Sequence, residues 1–398
     1  MSSKTNEVSL WTKEFIGITI SNLFLFLSFQ MLIPTLPVYV EESGGDELAI
    51  GLVIGIFTIS ALLTRPFAGK GLDTVGRKKI LVIGMIIFVL SVAGYYWFAT
   101  VFLILVVRFI HGIGWGMATT TLGTMISDII PAARRGEGMG YYGLSSTLAM
   151  ALAPMVGIWV MNEFGFGILF LTATIFGLLS IILFLCVPYQ EPQMKQEKVA
   201  QFSLWKGLVE PKALFPSLLV LLLGVTYGGI VSFITLFGAD VGIRNVGWFF
   251  LFNALMVMIV RPVAGKLFDR KGHKWVLYPG AFFSIIGLIL LSYTTTVSTL
   301  IAASVFYGIG FGAIQPSLQA WTINRVSPQR RGTANGTFFS GFDLGIGAGA
   351  MLLGIIARYT SYAMMYRISV VLMVIYLVIY SYHVVQEENR KVHDRRVS

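Results

Sequence analysis

Arg65-Pro66-Phe67-Ala68-Gly69-Lys70-Gly71-Leu72-Asp73-Thr74-Val75-Gly76-Arg77-Lys78-Lys79 is a short charged stretch set between two long apolar runs, and the chain contains it twice. The second copy reads Arg261-Pro262-Val263-Ala264-Gly265-Lys266-Leu267-Phe268-Asp269-Arg270-Lys271-Gly272-His273-Lys274. The copies are 196 residues apart, and the same offset carries Gly112, Gly114 and Gly116 onto Gly308, Gly310 and Gly312, and Arg134-Arg135-Gly136 onto Arg330-Arg331-Gly332. One half of the protein is therefore a copy of the other in the same orientation.

The surrounding composition requires lipid as the solvent. The chain is 56% hydrophobic and 12% charged, with a mean hydropathy of +0.79, too apolar for an ordinary soluble domain. A hydrocarbon core about 30 Å thick needs roughly 20 apolar residues per helix. Runs of that kind begin near Phe15, Ala49, Ile80, Val101, Gly138, Ile168, Phe215, Val246, Val276, Leu300, Gly336 and Met364. The expected fold class is an all-α integral membrane protein with twelve transmembrane helices in two pseudo-symmetric six-helix bundles. The boundaries read as a tail at 1–14, a first bundle at 15–188, a linker at 189–212, a second bundle at 213–387 and a tail at 388–398. The first run continues through Pro34 and Pro37 without a small-residue cleavage site, so it reads as a helix and not as a removed signal. Cys186 is the single cysteine, which excludes an intrachain disulfide, and no Cys/His cluster suggests a metal or another cofactor.

A formal charge of +10 raises the question of nucleic acid, and the distribution answers it. All 29 Lys and Arg lie in the tails or the loops after even-numbered runs, except Arg108, Arg244, Arg358 and Arg367. The positive-inside rule then places both termini and the linker in the cytoplasm of a plasma-membrane protein. The loop after the first run carries Glu41, Glu42, Asp46 and Glu47 without a base, which suits the outside. Basicity here reports topology, and no nucleic-acid partner is expected.

Gly69-x-x-x-Asp73-x-x-Gly76-Arg77-Lys78 resembles the signature loop between the second and third helices of the major facilitator superfamily. The later copy stands where that family carries its weaker repeat, and the similarity covers essentially the whole chain. Ile33-Pro34-Thr35-Leu36-Pro37 resembles the first-helix motif of the drug/proton antiporter branch. Gly140, Ala149, Ala153-Pro154 and Gly157 occupy the spacing of its glycine-rich fifth-helix motif, with alanine at two glycine positions. The resemblance implies that Asp73 docks on the N-terminus of the eleventh helix near Gly336 when the cytoplasmic side is closed. It also implies that Arg77 engages Asp128 at the end of the fourth helix. The gating set is then Gly69, Asp73, Gly76, Arg77 and Asp128, with Asp269 and Gly272 in the second copy. There, under the offset, His273 replaces Arg77 and Asn324 replaces Asp128, so a weaker pair of His273 with Asn324 is expected.

Polar side chains inside the apolar runs mark a candidate site. Arg108 lies about ten residues from either end of its run, where a charge costs at least about 2.5 kcal/mol and so needs a partner or a wet cavity. Arg108, His111, Trp115 and Thr119 share one helix face and map onto Ser304, Tyr307, Phe311 and Gln315. Paired polar-aromatic stripes suit a shared central cavity. Arg108 could instead hold helix ends together through backbone carbonyls. The family motif Arg-x-x-Gln-Gly carries His111 where it has glutamine, and histidine titrates near neutral pH whereas an amide does not. Asn22, Gln30, Tyr227, Asn253, Gln315 and Gln319 complete the candidate substrate contacts, each being either an interhelical tie or a cavity group.

Asp343 is the carboxylate set inside an apolar run, roughly 10 Å past Gly336 at 1.5 Å per residue. Gly341, Gly345 and Gly349 recur beside it, so this helix packs closely on a neighbour. Asp343, His111 and Arg108 are the candidate proton-coupling residues; the competing reading pairs Asp343 statically with Arg330 or Arg331. The linker, with Phe202, Trp205 and Lys206, admits a short amphipathic helix on the membrane surface or a solvated connection.

The expected function is proton-coupled efflux of a small amphipathic compound by alternating access. A proton gradient is the driving force, small molecules, protons and lipid are the partners, and the unit is a monomer. No nucleotide-binding motif supports ATP drive, and no enzyme activity is expected. A sugar-like nutrient importer of the same fold and a transport-inactive membrane scaffold or sensor are the alternatives.

Overall fold

The computed structural model describes residues 9–191, 207–243 and 245–397. Arg244 and residues 192–206, with the expected amphipathic segment, lie outside the described residues. Those described are almost wholly helical, with no strand among them. In chain order they form α1 (Lys13–Glu42), α2 (Glu47–Thr74), α3 (Arg77–Gly94), α4 (Val101–Ile129), α5 (Arg135–Leu185), α6 (Pro211–Asp240), α7 (Gly247–Lys271), α8 (Lys274–Ser292), α9 (Val297–Asn324), α10 (Arg331–Tyr359) and α11 (Tyr362–Val397).

The eleven helices make twelve membrane rods. At 1.5 Å per residue, the 51 residues of α5 would span about 76 Å, more than twice a hydrocarbon core. The chain folds back at Gly165, whose φ of 79° belongs to the left-handed region that side chains with a Cβ avoid. The two arms of α5 are the fifth and sixth rods, so α6 to α11 are the seventh to twelfth.

Several ends differ from the apolar runs because helices continue into polar turns. The rod of Asp343 begins at Arg331, not Gly336, which puts the carboxylate about 18 Å along its helix. Near mid-depth, it is deeper than the run alone suggests. α1 continues through Pro34 and Pro37 to Glu42, so Pro37 does not end it. The last residues, expected as a tail, continue α11 to Val397.

Helix pairing repeats across the two halves. α1 packs on α5 as α6 packs on α10; α4 joins α2 and α3 as α9 joins α7 and α8. Gly341 and its two successors lie against the α6 backbone at Ser217, Leu221 and Val225, which identifies the neighbour their spacing required. The bundles meet along two further pairs, α2 with α10 and α5 with α7. Each crossing brings glycines to backbone. A Cβ on Gly69 would lie 2.7 Å from the Gly332 carbonyl oxygen, and one on Gly265 would strike the Gly136 carbonyl in the same manner. Outward-facing residues such as Leu90, Phe102, Met351 and Val378 are apolar and exposed, the belt a bilayer covers.

Gly265→Val should separate α5 from α7 and open this end of the interface. With Cys186 replaced by serine and a cysteine placed at Phe342, thiol labelling from the end of the interface that carries Gly69 and Gly265 should rise several-fold. Gly55→Val, where a Cβ has nothing within 4 Å, should leave it unchanged. Equal labelling in the two variants would mean that this crossing does not hold the end shut.

Candidate functional site

The repeated loops form two latches at one end of the interface. Gly76 (φ 117°) and Gly272 (φ 84°) turn α2 into α3 and α7 into α8, leaving the preceding aspartate beside the opposite bundle. The first peptide N–H groups of a helix have no partner within it, and the helix dipole favours an anion there. Asp73 Oδ1 accepts from Gly332 N (3.0 Å) and Oδ2 from Thr333 N (2.8 Å) and Thr333 Oγ1 (2.7 Å), at the start of α10. Asp269 accepts from Gly136 N (2.7 Å) and Glu137 N (2.8 Å), at the start of α5. Docking on α10 is thus one turn earlier than Gly336, because the helix starts earlier.

Behind Asp73 lies a balanced cluster. Arg77, 1% exposed, donates to the Leu72 carbonyl (2.6 Å), the Pro328 carbonyl (3.1 Å) and Asp128 Oδ2 (3.3 Å). Arg331 donates to Asp128 Oδ1 (2.9 Å), and the Tyr189 hydroxyl reaches Oδ2 (3.2 Å). Two guanidiniums thus meet the carboxylates of Asp73 and Asp128.

The second copy is built differently from its expected form. His273 and Asn324 do not pair. Asn324 Oδ1 accepts from Arg135 (2.5 Å), the offset mate of Arg331, while His273 stacks on Trp321 (4.3 Å, 19°) and its Nδ1 meets the Tyr380 hydroxyl (2.6 Å). An aromatic shelf on α9 and α11 draws the imidazole away from the amide.

The central polar residues separate into ties within a bundle and groups between bundles. Asn22, 1% exposed, donates to Ser145 Oγ (2.8 Å) and accepts from Tyr142 (2.9 Å), so it joins α1 to α5 and is not a substrate contact in this conformation. Tyr307 bonds Thr226 (2.9 Å), likewise a tie within its bundle. Gln319 donates to Asn335 (3.1 Å), whose Nδ2 donates to Thr124 Oγ1 (3.3 Å) on α4, so this pair reaches across the bundles.

Arg108, 1% exposed, and His111, 0% exposed, are buried inside the first bundle in this conformation. The Arg108 guanidinium lies 4.3 Å from the Phe57 ring centroid and donates to the Val53 carbonyl (3.0 Å). That is the backbone-carbonyl alternative, strengthened by an aromatic wall. His111 Nδ1 faces Arg108 Nη1 (3.4 Å) and the Tyr95 hydroxyl (3.2 Å). Arg108 can only donate, so Nδ1 accepts and the ring proton of neutral His111 belongs on Nε2, which has no partner among the described residues.

The interface itself holds residues that the spacing argument overlooked. Arg65 Nε donates to Asp343 Oδ2 (2.7 Å), and Nη1 to Thr119 (2.9 Å) and Thr120 (3.2 Å). Asp343 is therefore paired across the bundles with Arg65 and not with Arg330 or Arg331. The offset mate Arg261 donates to Gln315 Oε1 (3.1 Å). The available signal was the repeated Arg-Pro opening both copies of the charged stretch. Nearby, Tyr227 stacks on Phe311 (4.8 Å, 23°), and Trp115 on Phe29 (4.0 Å, 26°). Gln30 is half-buried, and Asn253 packs against Gly308 with its amide oxygen unpartnered among the described residues. Among those residues no three of His, Cys, Asp and Glu gather to hold a metal.

Two outcomes follow from this geometry. Because Asp128 serves Arg331 as well as Arg77, exchanging charges in an Arg77→Asp, Asp128→Arg double variant sets one guanidinium against another. Either single change removes a partner from a buried pair, a loss of about 3–5 kcal/mol. The double variant should transport no better than the singles, and recovery would show that Arg331 is not committed to Asp128. At the second latch, burial pulls His273 from 6.5 to about 4, against the pull of Glu387 and assisted by Lys274, Arg325 and His383. A folded value below the unfolded one means that its contribution is complete above about pH 6.5 and is lost as pH falls toward about 4. The thermal midpoint should therefore drop less on acidification in His273→Gln than in the parent, and parallel curves would exclude His273 as the source.

The fold recurs in known proteins. A family model, Major Facilitator Superfamily, matches residues 18–297 and 243–397. The staphylopine export protein of Staphylococcus aureus is 27% identical over 92% of this chain and 94% of its own. The quinolone resistance protein NorA of that species is 26% identical over 84% and 87%. An uncharacterised MFS-type transporter of Methanocaldococcus jannaschii is 24% identical over 91% and 96%. The human organic anion transporter MFSD10 (TETRAN) superimposes with a TM-score of 0.81 at 16% identity, over 92% of this chain and 98% of that one. The proton:xylose symporter XylE, bound to 6-bromo-6-deoxy-D-glucose, does so with 0.76 at 16%, over 92% and 94%. These two likenesses show the fold alone. Since the family matches together run from the first helix to the last, through both charged loops, the chain belongs to the major facilitator superfamily of transporters.

Proposed function

We propose that this transporter exports a small amphipathic compound in exchange for protons, by rocking its two bundles about the interface. The observation that carries the reading is the Arg65–Asp343 pair, 2.7 Å long, with side chains 4% and 17% exposed, which joins α2 of one bundle to α10 of the other at mid-depth. Separating a buried ion pair is costly, and a proton on the carboxylate removes that cost by discharging the acid before the bundles part. Protonation of Asp343 would thus unlock the interface where a cargo has to pass.

Export is the direction suggested by the similar staphylopine and quinolone resistance proteins, and by the proline pair in α1. Placing the latch end in the cytoplasm follows the distribution of Lys and Arg. The state described is then closed to the cytoplasm, with both aspartates on their helix N-termini. Tyr227, Phe311, Trp115 and Gln315 are the proposed substrate contacts, and the proton gradient is the energy source.

The test is collapse of a pH gradient in energised everted membrane vesicles, on adding cationic, neutral, zwitterionic and anionic compounds. Parent vesicles should release protons with at least one class, and Asp343→Asn should abolish that release while the protein keeps its thermal midpoint to within a few degrees. Undiminished release in Asp343→Asn would remove Asp343 from the coupling path.

A further inference from the structure

The two interbundle corners are built on one plan but completed differently. A Cβ on Gly336 would lie 2.7 Å from the Arg65 carbonyl oxygen, and a Cβ on Gly140, its offset mate, 2.6 Å from the Arg261 carbonyl oxygen. Arg65 and Arg261 thus enter the interface from the same place. In the first corner Asp343 takes Nε, Thr119 and Thr120 take Nη1, and the Phe339 ring lies 5.1 Å away.

In the second corner the matching acid and ring are absent. The offset puts Thr147 in place of Asp343 and Gly143 in place of Phe339. Thr147 Oγ1 donates to the Gly143 carbonyl (3.0 Å), and a Cβ on Gly143 would strike the Arg261 guanidinium. Arg261 is 5% exposed, and Gln315 Oε1 accepts from its Nη2. Its Nε and Nη1 have no partner among the described residues. A buried guanidinium lacking a carboxylate holds donors for an anion.

We propose that Arg261 binds a carboxylate on the substrate, so that the cargo supplies to the second corner the acid that Asp343 supplies to the first. Gln315 gives its amide oxygen to Arg261 and keeps its NH2 as a further donor. The stack of Tyr227 on Phe311 offers a surface for an apolar or aromatic body. The favoured cargo is therefore a carboxylate-bearing amphipathic compound. This inference rests on the reading of the interface as the transport site and specifies the substrate class for it.

The test is thermal unfolding of the purified full-length protein with 2-naphthoate, a carboxylate, and 2-naphthamide, its neutral counterpart. Naphthoate should raise the midpoint saturably and naphthamide should not. Thr147→Asp offers Arg261 an internal acid, so that variant should keep or raise the midpoint without ligand and lose most of the naphthoate response. Arg261→Gln should lose the response too. No saturable naphthoate response in the parent, equal responses to acid and amide, or an unchanged response in Thr147→Asp would each overturn the proposal. The measurement needs no gradient and no direction of transport. A naphthoate response kept in Asp343→Asn, alongside proton release kept in its vesicles, would sink proton coupling at Asp343 and leave the carboxylate site standing.

Discussion

The arrangement depends on two carboxylates that complete helices belonging to the other bundle. The starts of α10 and α5 present N–H groups that their own turns cannot satisfy. Asp73 and Asp269 take those hydrogens, and they reach them because a glycine one turn earlier brings the backbones together. Acid and glycine are thus one device: without the close crossing the carboxylate falls short, and without the carboxylate the helix start is left unsatisfied. An anion at a helix N-terminus contributes about 0.3–2 kcal/mol. Contacts of that size hold a conformation yet can be outweighed by a ligand or a proton, as a reversible gate requires.

The difference between the latches keeps charge in balance. Around Asp73 the acids Asp73 and Asp128 meet Arg77 and Arg331. Around Asp269 the positions of Arg77 and Asp128 hold His273 and Asn324, with Arg135 on Asn324 and with Arg134 and Lys266 on Glu137. Changing one of these two positions alone would leave a buried charge uncompensated, a larger penalty than losing a complete pair. The joint replacement removes both charges together. It leaves a latch with fewer ion pairs, and His273 free to settle on Trp321 and Tyr380.

Much of the fold was legible because its demands fall on particular residue types at fixed spacing. A tight turn needed glycine at 76 and 272, an N-terminal cap needed aspartate at 73 and 269, and length and apolarity set the number of crossings. The destinations of polar side chains were harder to read. Helical periodicity groups Arg108 with His111 and Trp115, but it does not say whether their shared face looks into the bundle or toward the other bundle. Arg108 stood out as a charge within an apolar run and is buried inside its bundle. Arg65 lay at the edge of a charged stretch and seemed part of a loop, yet α2 continues to Thr74 and carries Arg65 into the interface. The start of α10 was obscured in the same way, since polar residues from Arg331 onward are helical before the apolar run begins.

Several polar ties within bundles are closed, as in Asn22 with Ser145 and Tyr142, Tyr307 with Thr226, and Ser21 with Ser180, although His111 Nε2 and the Tyr366 and Tyr376 hydroxyls have no partner among the described residues. Among the described residues, the buried guanidinium nitrogens without partners belong to Arg135, Arg261 and Arg331. All three sit on α5, α7 and α10, helices of the interbundle contacts. A donor deep within a bundle keeps its neighbours and can be saturated once. In the proposed rocking mechanism a donor between bundles exchanges partners, and saturating it in one state would deepen that state at the expense of the other. Incomplete pairing of these guanidiniums at the interface is what such a mechanism would need.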